Sequence, residues 1–459
     1  MVRIGLECHV QLATQSKLFC GCTNRFSSEP NTQTCCYCLG LPGSKPRLNE
    51  KAVDHAIKIA IALGCKIPNE MIFSRKTYFY PDMAKNFQIT QYEMPLAAGG
   101  WLKTGKKKIV ISRINIEEDP ARLVHEENTC LVDYNRSGVP LCEIVTEPQL
   151  ATPKEARKFL QRLSGILQYL DIYDPDAEGS MRVDANVSIG AVRVEIKNIT
   201  GFRDVEKALA YEIIRQKNLI ARGGKVLRET RGWDGAAGVT RPMREKEEEE
   251  EYGYIFEPDI PAVTLVGRIK KIRPTMPELA DEKIKRYEKE LGVARELAVS
   301  ITSEPDLAAM FEKVIKTTDA KLAAKFFSGE LKKTLNYNNL RIKQTKLEPW
   351  HISEMMNLLA KKKITERSCE MLVREMILSE RPENLIRTSG VERIRDEAVL
   401  DPIVVKAITE NPTAVVDYIS GREEAFHFIV GQAMRKTNGR GDPDAIRRLV
   451  KKYLARQNK

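Results

Sequence analysis

The sequence predicts an α+β protein: a mixed α/β N-terminal domain built on β-sheets, then a helical domain and a small helical tail. Three observations predict this order. Strand-like alternation and helical spacing both occur in the first 290 residues, helical spacing dominates after Pro277, and a Gly-rich turn separates two helices near the C-terminus. We therefore expect domains at residues 1–290, 291–400 and 401–459.

Strands in the N-terminal domain are indicated by alternation. Lys108–Asn115 alternates like a half-buried strand, and Val183–Ile189 followed by Val192–Ile196 predicts a hairpin. The segment 100–106 has the glycine spacing of a phosphate-binding loop. However, Lys107 stands where Ser or Thr should hold a metal, and a strand follows, so we expect a hairpin turn there.

Helices are indicated by caps and by apolar spacing. Thr152 opens a capping box with Pro at the first helical position, and a second helix runs from about Asp204 to a Gly-Gly pair. The later predicted helices are Pro305–Lys316, Lys321–Lys333, Glu348–Lys362, Ile364–Leu378, Glu423–Lys436 and Pro443–Arg456.

Charge suggests a polyanionic partner. The net charge is +11, and residues 432–459 hold nine Lys or Arg against two Asp. Such a tail is typical of a nucleic-acid contact and equally of a solvated helix face. No apolar run is long enough to span a membrane, and the N-terminus lacks a signal-peptide pattern, so we expect a cytoplasmic protein.

Five of the ten cysteines fall between residues 20 and 38, in the pattern C-x-C, twelve residues, then C-x-x-C. Because cytosolic thiols stay reduced, such a cluster indicates a metal before a disulfide. Tetrahedral zinc needs four such ligands, and we predict a structural zinc site of Cys20, Cys22, Cys35 and Cys38. Cys36 is the alternative to Cys35, and thiols without a metal are the alternative to the site itself.

Acidic residues recur inside apolar, strand-like segments. Glu7 and His9 share one face of a strand in IGLECHV, the acidic triplet 117–119 follows a strand, Glu143 lies in PLCEIV, and Asp184 lies in VDANVSI. A lone buried carboxylate is commonly satisfied by an Arg or a backbone group. Several together favour a Mg²⁺ site completed by nucleotide phosphates.

Long motifs occur in a fixed order along the chain, and together they resemble the GatB family. The motifs are IGLECHVQL (4–12), FCGCTNRFSSEPNTQTCCYCLGLPG (19–43), YFYPDMAKNFQITQY (78–92), INIEEDPARL (114–123), LVDYNRSGVPLCEIVTEP (131–148), GSMRVDANVSI (179–189), EIKNITGF (195–202) and ETRGWD (229–234). Residues 428–443 resemble the family's YqeY-like C-terminal domain. GatB is the B subunit of the aspartyl/glutamyl-tRNA amidotransferase.

The resemblance implies an ATP- and Mg²⁺-dependent ligase. ATP would phosphorylate the side-chain carboxylate of Asp or Glu carried by tRNA(Asn) or tRNA(Gln), and ammonia would then displace the phosphate. The ammonia would come from a GatA-type glutaminase subunit, because the amidase signature is absent here, and a GatC-type small subunit would complete a heterotrimer. The helical and tail domains would bind the tRNA.

The resemblance also implies which residues form the kinase site. Family metal ligands correspond to Glu7, His9, Glu118 and Glu143, and Asp184 stands in a motif near the site. The related GatE subunit carries an inserted domain for which this chain has no room, so we prefer B. A non-catalytic, zinc-stapled tRNA-binding scaffold is the alternative function. The acidic run 247–251 precedes a segment unlike the commoner bacterial pattern, which indicates an archaeal-type member.

Overall fold

A computed structural model of the chain describes residues 1–177, 179–245, 253–379, 382, 385 and 393–457. The acidic run 247–251 therefore lies outside the described residues. The chain forms two compact units, Met1–Leu279 and Ala280–Lys459. The first is mixed α/β with a large sheet and the second is helical, which confirms the predicted fold class. The domain borders at 290 and 400 stay predictions.

The first unit holds all the strands that the structure describes. These strands are β1 Arg3–Gln11, β2 Glu70–Met71, β3 Ser74–Thr77, β4 Phe87–Thr90, β5 Ala97–Thr104, β6 Lys107–Glu118, β7 Arg122–His125, β8 Cys130–Asp133, β9 Pro140–Thr146, β10 Met181–Ser188, β11 Val194–Ile199, β12 Glu229–Asp234, β13 Val239–Glu245, β14 Gly253–Phe256 and β15 Val263–Thr264. Its helices are α1 Glu50–Ala62, α2 Pro153–Tyr169, α3 Phe202–Ala221 and α4 Val266–Ile272.

Eight of these strands form one sheet in the order β13-β12-β11-β10-β1-β9-β6-β5. Among these described strands only β11 and β12 pair in parallel, across the α3 crossover. The hairpin turn expected in the segment 100–106 is confirmed at its end, where β5 and β6 pair antiparallel around Gly105, whose φ of +63° suits glycine. The hairpin of β10 and β11 is also confirmed, although its connection is longer than the two residues expected.

The sheet has one apolar and one polar face. Leu6, Cys8 and Val10 of β1 are fully buried in one hydrophobic core with residues from the first three helices. Alternate residues of a strand point to opposite faces, so the intervening residues of β1 point away from this core. The helices therefore cover one face of the sheet and leave the other to polar side chains.

The start of α2 shows why its position could be predicted. The Thr152 hydroxyl accepts a hydrogen bond from the Glu155 amide at 3.1 Å, as a helix cap does. The Glu155 carboxylate accepts in return from the amide of Ala151 at 2.9 Å. In an ideal capping box it would accept from the amide of the capping residue itself, Thr152. The cap thus fixes both the start of the helix and its entry loop.

The second unit consists of helices and the loops that connect them, as far as its described residues show. Its helices are α5 Ala280–Leu291, α6 Arg295–Thr302, α7 Pro305–Val314, α8 Ala320–Phe326, α9 Lys332–Tyr337, α10 Pro349–Ala360, α11 Glu366–Met376, α12 Glu397–Thr409, α13 Pro412–Ile419, α14 Glu423–Lys436 and α15 Pro443–Gln457. The single helix predicted over Lys321–Lys333 is divided by the π-helical turn Phe327–Leu331. No helix among the described residues is both long and apolar enough to cross a membrane.

We expect His55 of α1 to make the first unit sensitive to acid. Its side chain is buried, and burial, reinforced by Lys51 and Lys58, lowers its pKa to about 4. Because the pKa is lowered in the folded state, the contribution to stability is present above about pH 6.5 and is lost as the pH falls towards 4. Across this pH range we expect the free energy of unfolding of the wild type to fall by up to about 3 kcal/mol more than that of His55→Leu.

Urea unfolding of both proteins at pH 7 and at pH 4.5 measures this difference. His55→Leu is a suitable variant because leucine is similar to histidine in volume but has no group that titrates. Parallel pH dependences of the free energy of unfolding in the two proteins would contradict the role of His55.

Candidate functional site

Four neighbouring strands place polar side chains on the open face of the sheet. Glu7 lies opposite Asp184 in the pairing of β1 with β10, and His9 lies opposite Glu143 in the pairing of β1 with β9. Asn115 of β6 in turn lies opposite Glu143. Directly paired residues point to the same face, so these side chains converge.

The convergence brings potential metal ligands within reach of one another. The ligand atoms of Glu7, His9 and Asp184 all lie within 4.8 Å of one another. The His9 Nε2 atom is 3.5 Å from the Glu7 carboxylate and 3.4 Å from the Glu117 carboxylate. The Glu143 carboxylate accepts a hydrogen bond from the Asn115 amide at 2.7 Å. We call Glu7, His9, Glu117, Glu143 and Asp184 the acidic group.

The structure does not bring Glu118 into this group. The strand β6 includes the first two residues of the acidic triplet, which was expected to follow the strand, so Glu117 and Glu118 point to opposite faces. Both oxygens of Glu118 lie 2.6 Å from the Lys85 ammonium, and one accepts from the Ile89 amide at 2.9 Å. The resemblance had indicated Glu118 as a metal ligand, but the structure places Glu117 beside His9.

Two cations lie against the acidic group. The Lys197 ammonium is 2.8 Å from Asp184 and 3.7 Å from Glu195, and the Arg113 guanidinium is 3.6 Å from Glu143. Sequence analysis missed both, because basic residues are common and nothing local distinguishes these two. Even with these two cations present, the site has an excess of negative charge, because the carboxylates of the acidic group and Glu195 outnumber Lys197 and Arg113.

Burial and this excess of carboxylates shift the pKa values. Burial and the neighbouring Glu117 and Glu7 raise the pKa of Glu143 to about 7. Burial also opposes charge on Glu7, but His9 and Lys197 outweigh it, so the pKa of Glu7 is lowered. Burial would lower the pKa of His9, yet the carboxylates around it, Glu117 first, raise it. The site thus attracts protons and other cations.

Two amide oxygens at the site are buried without a partner. The Oδ1 atoms of Asn115 and Asn186 accept no hydrogen bond from any residue that the structure describes. A buried acceptor without a donor is costly, and a hard cation would satisfy it. The carboxylates, the imidazole and these oxygens therefore fit Mg²⁺, for which oxygen donors are the preferred ligands.

Three members of the acidic group, Glu7, Glu117 and Glu143, line a cleft of about 1060 Å³. The cleft is also lined by the basic residues Arg3, Lys76, Arg113, Arg193, Lys197 and Arg228. Tyr92 and Tyr254 line it too, and their rings stack with centroids 4.2 Å apart. An acidic centre within basic and aromatic walls suits a ligand that carries phosphates, a base and a metal ion.

The second candidate centre is the four-cysteine cluster between β1 and α1. The sulfurs of Cys20, Cys22, Cys35 and Cys38 lie within 4.8 Å of one another, whereas Cys36 is exposed and outside the cluster. Cys38 lies at the middle, 3.3 Å from the sulfur of Cys20 and 3.7 Å from those of the other two. The geometry therefore selects Cys35 over Cys36.

A buried lysine accompanies the cluster. The Lys17 side chain is fully buried, and its ammonium lies 3.5 Å from the Cys38 sulfur and 2.9 Å from the Gln33 carbonyl. The hydrogen bond from Cys20, with help from Lys17, lowers the pKa of Cys38 to about 4. Burial raises the pKa of Cys22 to about 12. Cys38 thus forms a thiolate readily, whereas Cys22 requires a further cation.

The chain matches two family models, the GatB/GatE catalytic domain over residues 2–270 and the GatB domain over residues 309–454. Three relatives are each named as the B subunit of an aspartyl/glutamyl-tRNA(Asn/Gln) amidotransferase. The one from Methanosarcina barkeri is 44% identical over 99% of this chain and 98% of its own length. Those from Carboxydothermus hydrogenoformans and Thermus thermophilus are 42% and 40% identical, over 99% and 98% of this chain and 98% of each relative.

The fold, the site and the relatives together define the class of protein to which the chain belongs. It is a subunit of a tRNA-dependent amidotransferase, and these enzymes are glutamine-dependent carbon–nitrogen ligases. Within that class the chain belongs to the GatB family. The resemblance drawn from the motifs is thereby confirmed, including the choice of B over E.

Proposed function

We propose that the cleft activates the side-chain carboxylate of Asp or Glu esterified to tRNA(Asn) or tRNA(Gln), so that ammonia can convert it into an amide. The observation that carries the proposal is the acidic group on the open face of the sheet, of which Glu7, Glu117 and Glu143 line one large cleft together with basic residues. The names of the relatives support the substrate class.

Activation is needed because a carboxylate is a poor electrophile. Transfer of the γ-phosphoryl group of ATP to a carboxylate oxygen yields an acyl phosphate and ADP. Ammonia then attacks the carbonyl carbon, the carbon–oxygen bond to the phosphate breaks, and the nitrogen loses a proton to leave the amide. Positioning and charge stabilisation supply most of the catalysis in phosphoryl transfer.

Each part of the cleft has a role in this chemistry. Glu7, His9, Glu117, Glu143 and Asp184 would hold Mg²⁺, with the Asn115 oxygen beside them. When bound, Mg²⁺ offsets charge on phosphoryl oxygens. Arg113 and Lys197, which border the acidic group, would bind the phosphoryl oxygens and orient the acceptor carboxylate.

The proposal includes partners and a second metal. A GatA-type subunit would supply ammonia and a GatC-type subunit would complete the complex, in keeping with the subunit names of the relatives. The four-cysteine cluster would bind structural Zn²⁺, because four thiolates leave no open position on a tetrahedral ion. Reduced thiols of this kind support a cytoplasmic location.

The test is amide formation by the complex of this chain with its A and C partners. Asp-tRNA(Asn) and Glu-tRNA(Gln) are supplied with ATP, Mg²⁺ and free ammonia, so that glutamine hydrolysis is not needed. ATP-dependent amide on either substrate supports the proposal. If tRNA binds but neither substrate is amidated, the non-catalytic scaffold is the better description.

The basic tail gives a prediction about tRNA binding. Lys451 and Lys452 of α15 are exposed. If they neutralise phosphates, Lys451→Glu/Lys452→Glu should weaken tRNA binding about 10-fold or more and reduce the slope of log K against log salt by about 1 per lost contact. Filter binding between about 50 and 200 mM salt, the range over which such contacts are lost, measures both quantities.

The matched control reverses two exposed lysines of β5 and the turn that follows it, Lys103→Glu/Lys106→Glu, which changes the net charge equally. Equal weakening by the two double variants would show a general charge effect and would contradict a tRNA contact at α15.

A further inference from the structure

Two tyrosines form a stacked pair on the wall of the cleft. The rings of Tyr92 and Tyr254 are 4.2 Å apart and inclined by only 16°. Both line the cleft, and Tyr92 remains 50% exposed although it is aromatic. Parallel rings with accessible surface are what proteins present to a nucleic-acid base, because every base has a stacking face.

The pair lies beside the small sheet of the first unit, with Tyr254 in β14 and Tyr92 two residues after the end of β4. The strand order of this sheet is β14-β3-β4, and Tyr254 of β14 lies directly opposite Lys76 of β3. Lys76 also lines the cleft. An ammonium and stacked rings on one wall suit a ligand with both a phosphate and a base.

Residues next to Tyr92 connect this wall of the cleft to the acidic group by hydrogen bonds. The Thr90 hydroxyl donates to the Glu117 carboxylate at 3.1 Å, and the Gln91 side-chain oxygen accepts from the Ile116 amide at 2.8 Å. Two residues of extended chain span at most about 7 Å. The backbone of Tyr92 is therefore at most about 7 Å along the chain from that of Thr90, and a base stacked on Tyr92 would occupy the same cleft as Glu117.

We infer that Tyr92 and Tyr254 bind the base of an adenosine whose phosphate or ester end reaches the acidic group. The inference rests on the proposed function, which supplies two adenosines, one in ATP and one at the aminoacylated 3′ end of tRNA. The stacking chemistry is the same for both. The pair acts by binding and takes no part in bond formation.

The experiment uses the complete complex with its A and C partners. Tyr92→Ala and Tyr254→Ala remove the rings, whereas Tyr92→Phe keeps the stacking face and removes only the hydroxyl. Phe79→Ala is the matched control, because Phe79 is 79% exposed in the same unit and does not line the cleft. Initial rates are measured against ATP at saturating aminoacyl-tRNA, and against aminoacyl-tRNA at saturating ATP.

Each alanine variant should raise one KM about 10-fold, with kcat changed much less, since stacking on an aromatic ring contributes on that scale. A rise in the KM for ATP assigns the base to ATP, and a rise in the KM for aminoacyl-tRNA assigns it to the terminal adenosine. Tyr92→Phe and Phe79→Ala should behave like the wild type.

Unchanged KM values in both arms for both alanine variants would overturn the inference. So would an equal defect in Tyr92→Phe, which would implicate the hydroxyl instead of the ring. If the wild-type complex makes no amide, the proposed function fails separately. Equilibrium binding of a non-hydrolysable ATP analogue, and of tRNA with or without its terminal adenosine, then still decides whether the pair binds a base.

Discussion

Glu117→Gln is expected to reduce amide formation by the complex about 10²–10³-fold, while Glu118→Gln keeps most of the wild-type rate. Glu117 lies 3.4 Å from His9 in the acidic group, and glutamine there would remove a negative charge from the proposed Mg²⁺ site. Glu118 points to the other face of the sheet, away from that site. The two variants are matched because they make the same substitution at adjacent residues.

Glu118→Gln should instead change stability. Glu118 and Lys85 form a buried ion pair, and removal of one partner leaves the other charge uncompensated. The expected loss is about 3 kcal/mol in the free energy of unfolding, measured by urea. Mn²⁺ binding followed by electron paramagnetic resonance should weaken in Glu117→Gln and stay unchanged in Glu118→Gln. Loss of amide in folded Glu118→Gln, with activity retained in Glu117→Gln, would reverse the assignment.

Cys38→Ser is expected to abolish zinc binding and to destabilise the first unit, whereas Cys36→Ser should leave both unchanged. Cys38 is buried at the centre of the cluster, and its replacement removes the sulfur nearest to all the others. Zinc binding to a site of this kind contributes to the folding free energy directly, so its loss should cost several kcal/mol. The buried Lys17 would also lose its thiolate neighbour.

Metal analysis of protein purified without chelator measures the zinc content, where about one zinc per chain is expected. Thermal unfolding with and without chelator measures the stabilisation. Cys36→Ser is the control because it is adjacent in sequence and exposed. Zinc loss in Cys36→Ser with retention in Cys35→Ser would identify the alternative ligand set, and wild-type protein free of zinc would exclude the site.

Local signals made part of the structure predictable. The side chains of Thr152 and Glu155 accept hydrogen bonds from backbone amides within four residues, so the start of α2 can be recognised from a short segment. The cysteine pairs are similarly close in sequence, and their spacing indicated the cluster that the structure shows. The π-helical turn at Phe327–Leu331 was not predictable, because it depends on how the helices pack and not on local spacing.

The acidic group was only partly predictable for a different reason. Glu7 and His9 are two residues apart on one strand, so their shared face follows from the strand period. The choice between Glu117 and Glu118 depends on the register between β6 and β9, which also carries a shift near Ile111. Arg113 reaches the site through that pairing and Lys197 through the pairing of β11 with its neighbours, so no local signal could have selected either residue.

The central place of β1 in the large sheet has a consequence for biosynthesis. This strand lies between β9 and β10 and carries Glu7 and His9, yet both of its neighbours follow it by more than a hundred residues. At about 5–20 residues per second, the ribosome needs on the order of 10–40 s to reach β10 after β1 has emerged. Until then the apolar side chains of β1 have no complete sheet to join, so the large sheet cannot form around Glu7 and His9 before β10 has been synthesised.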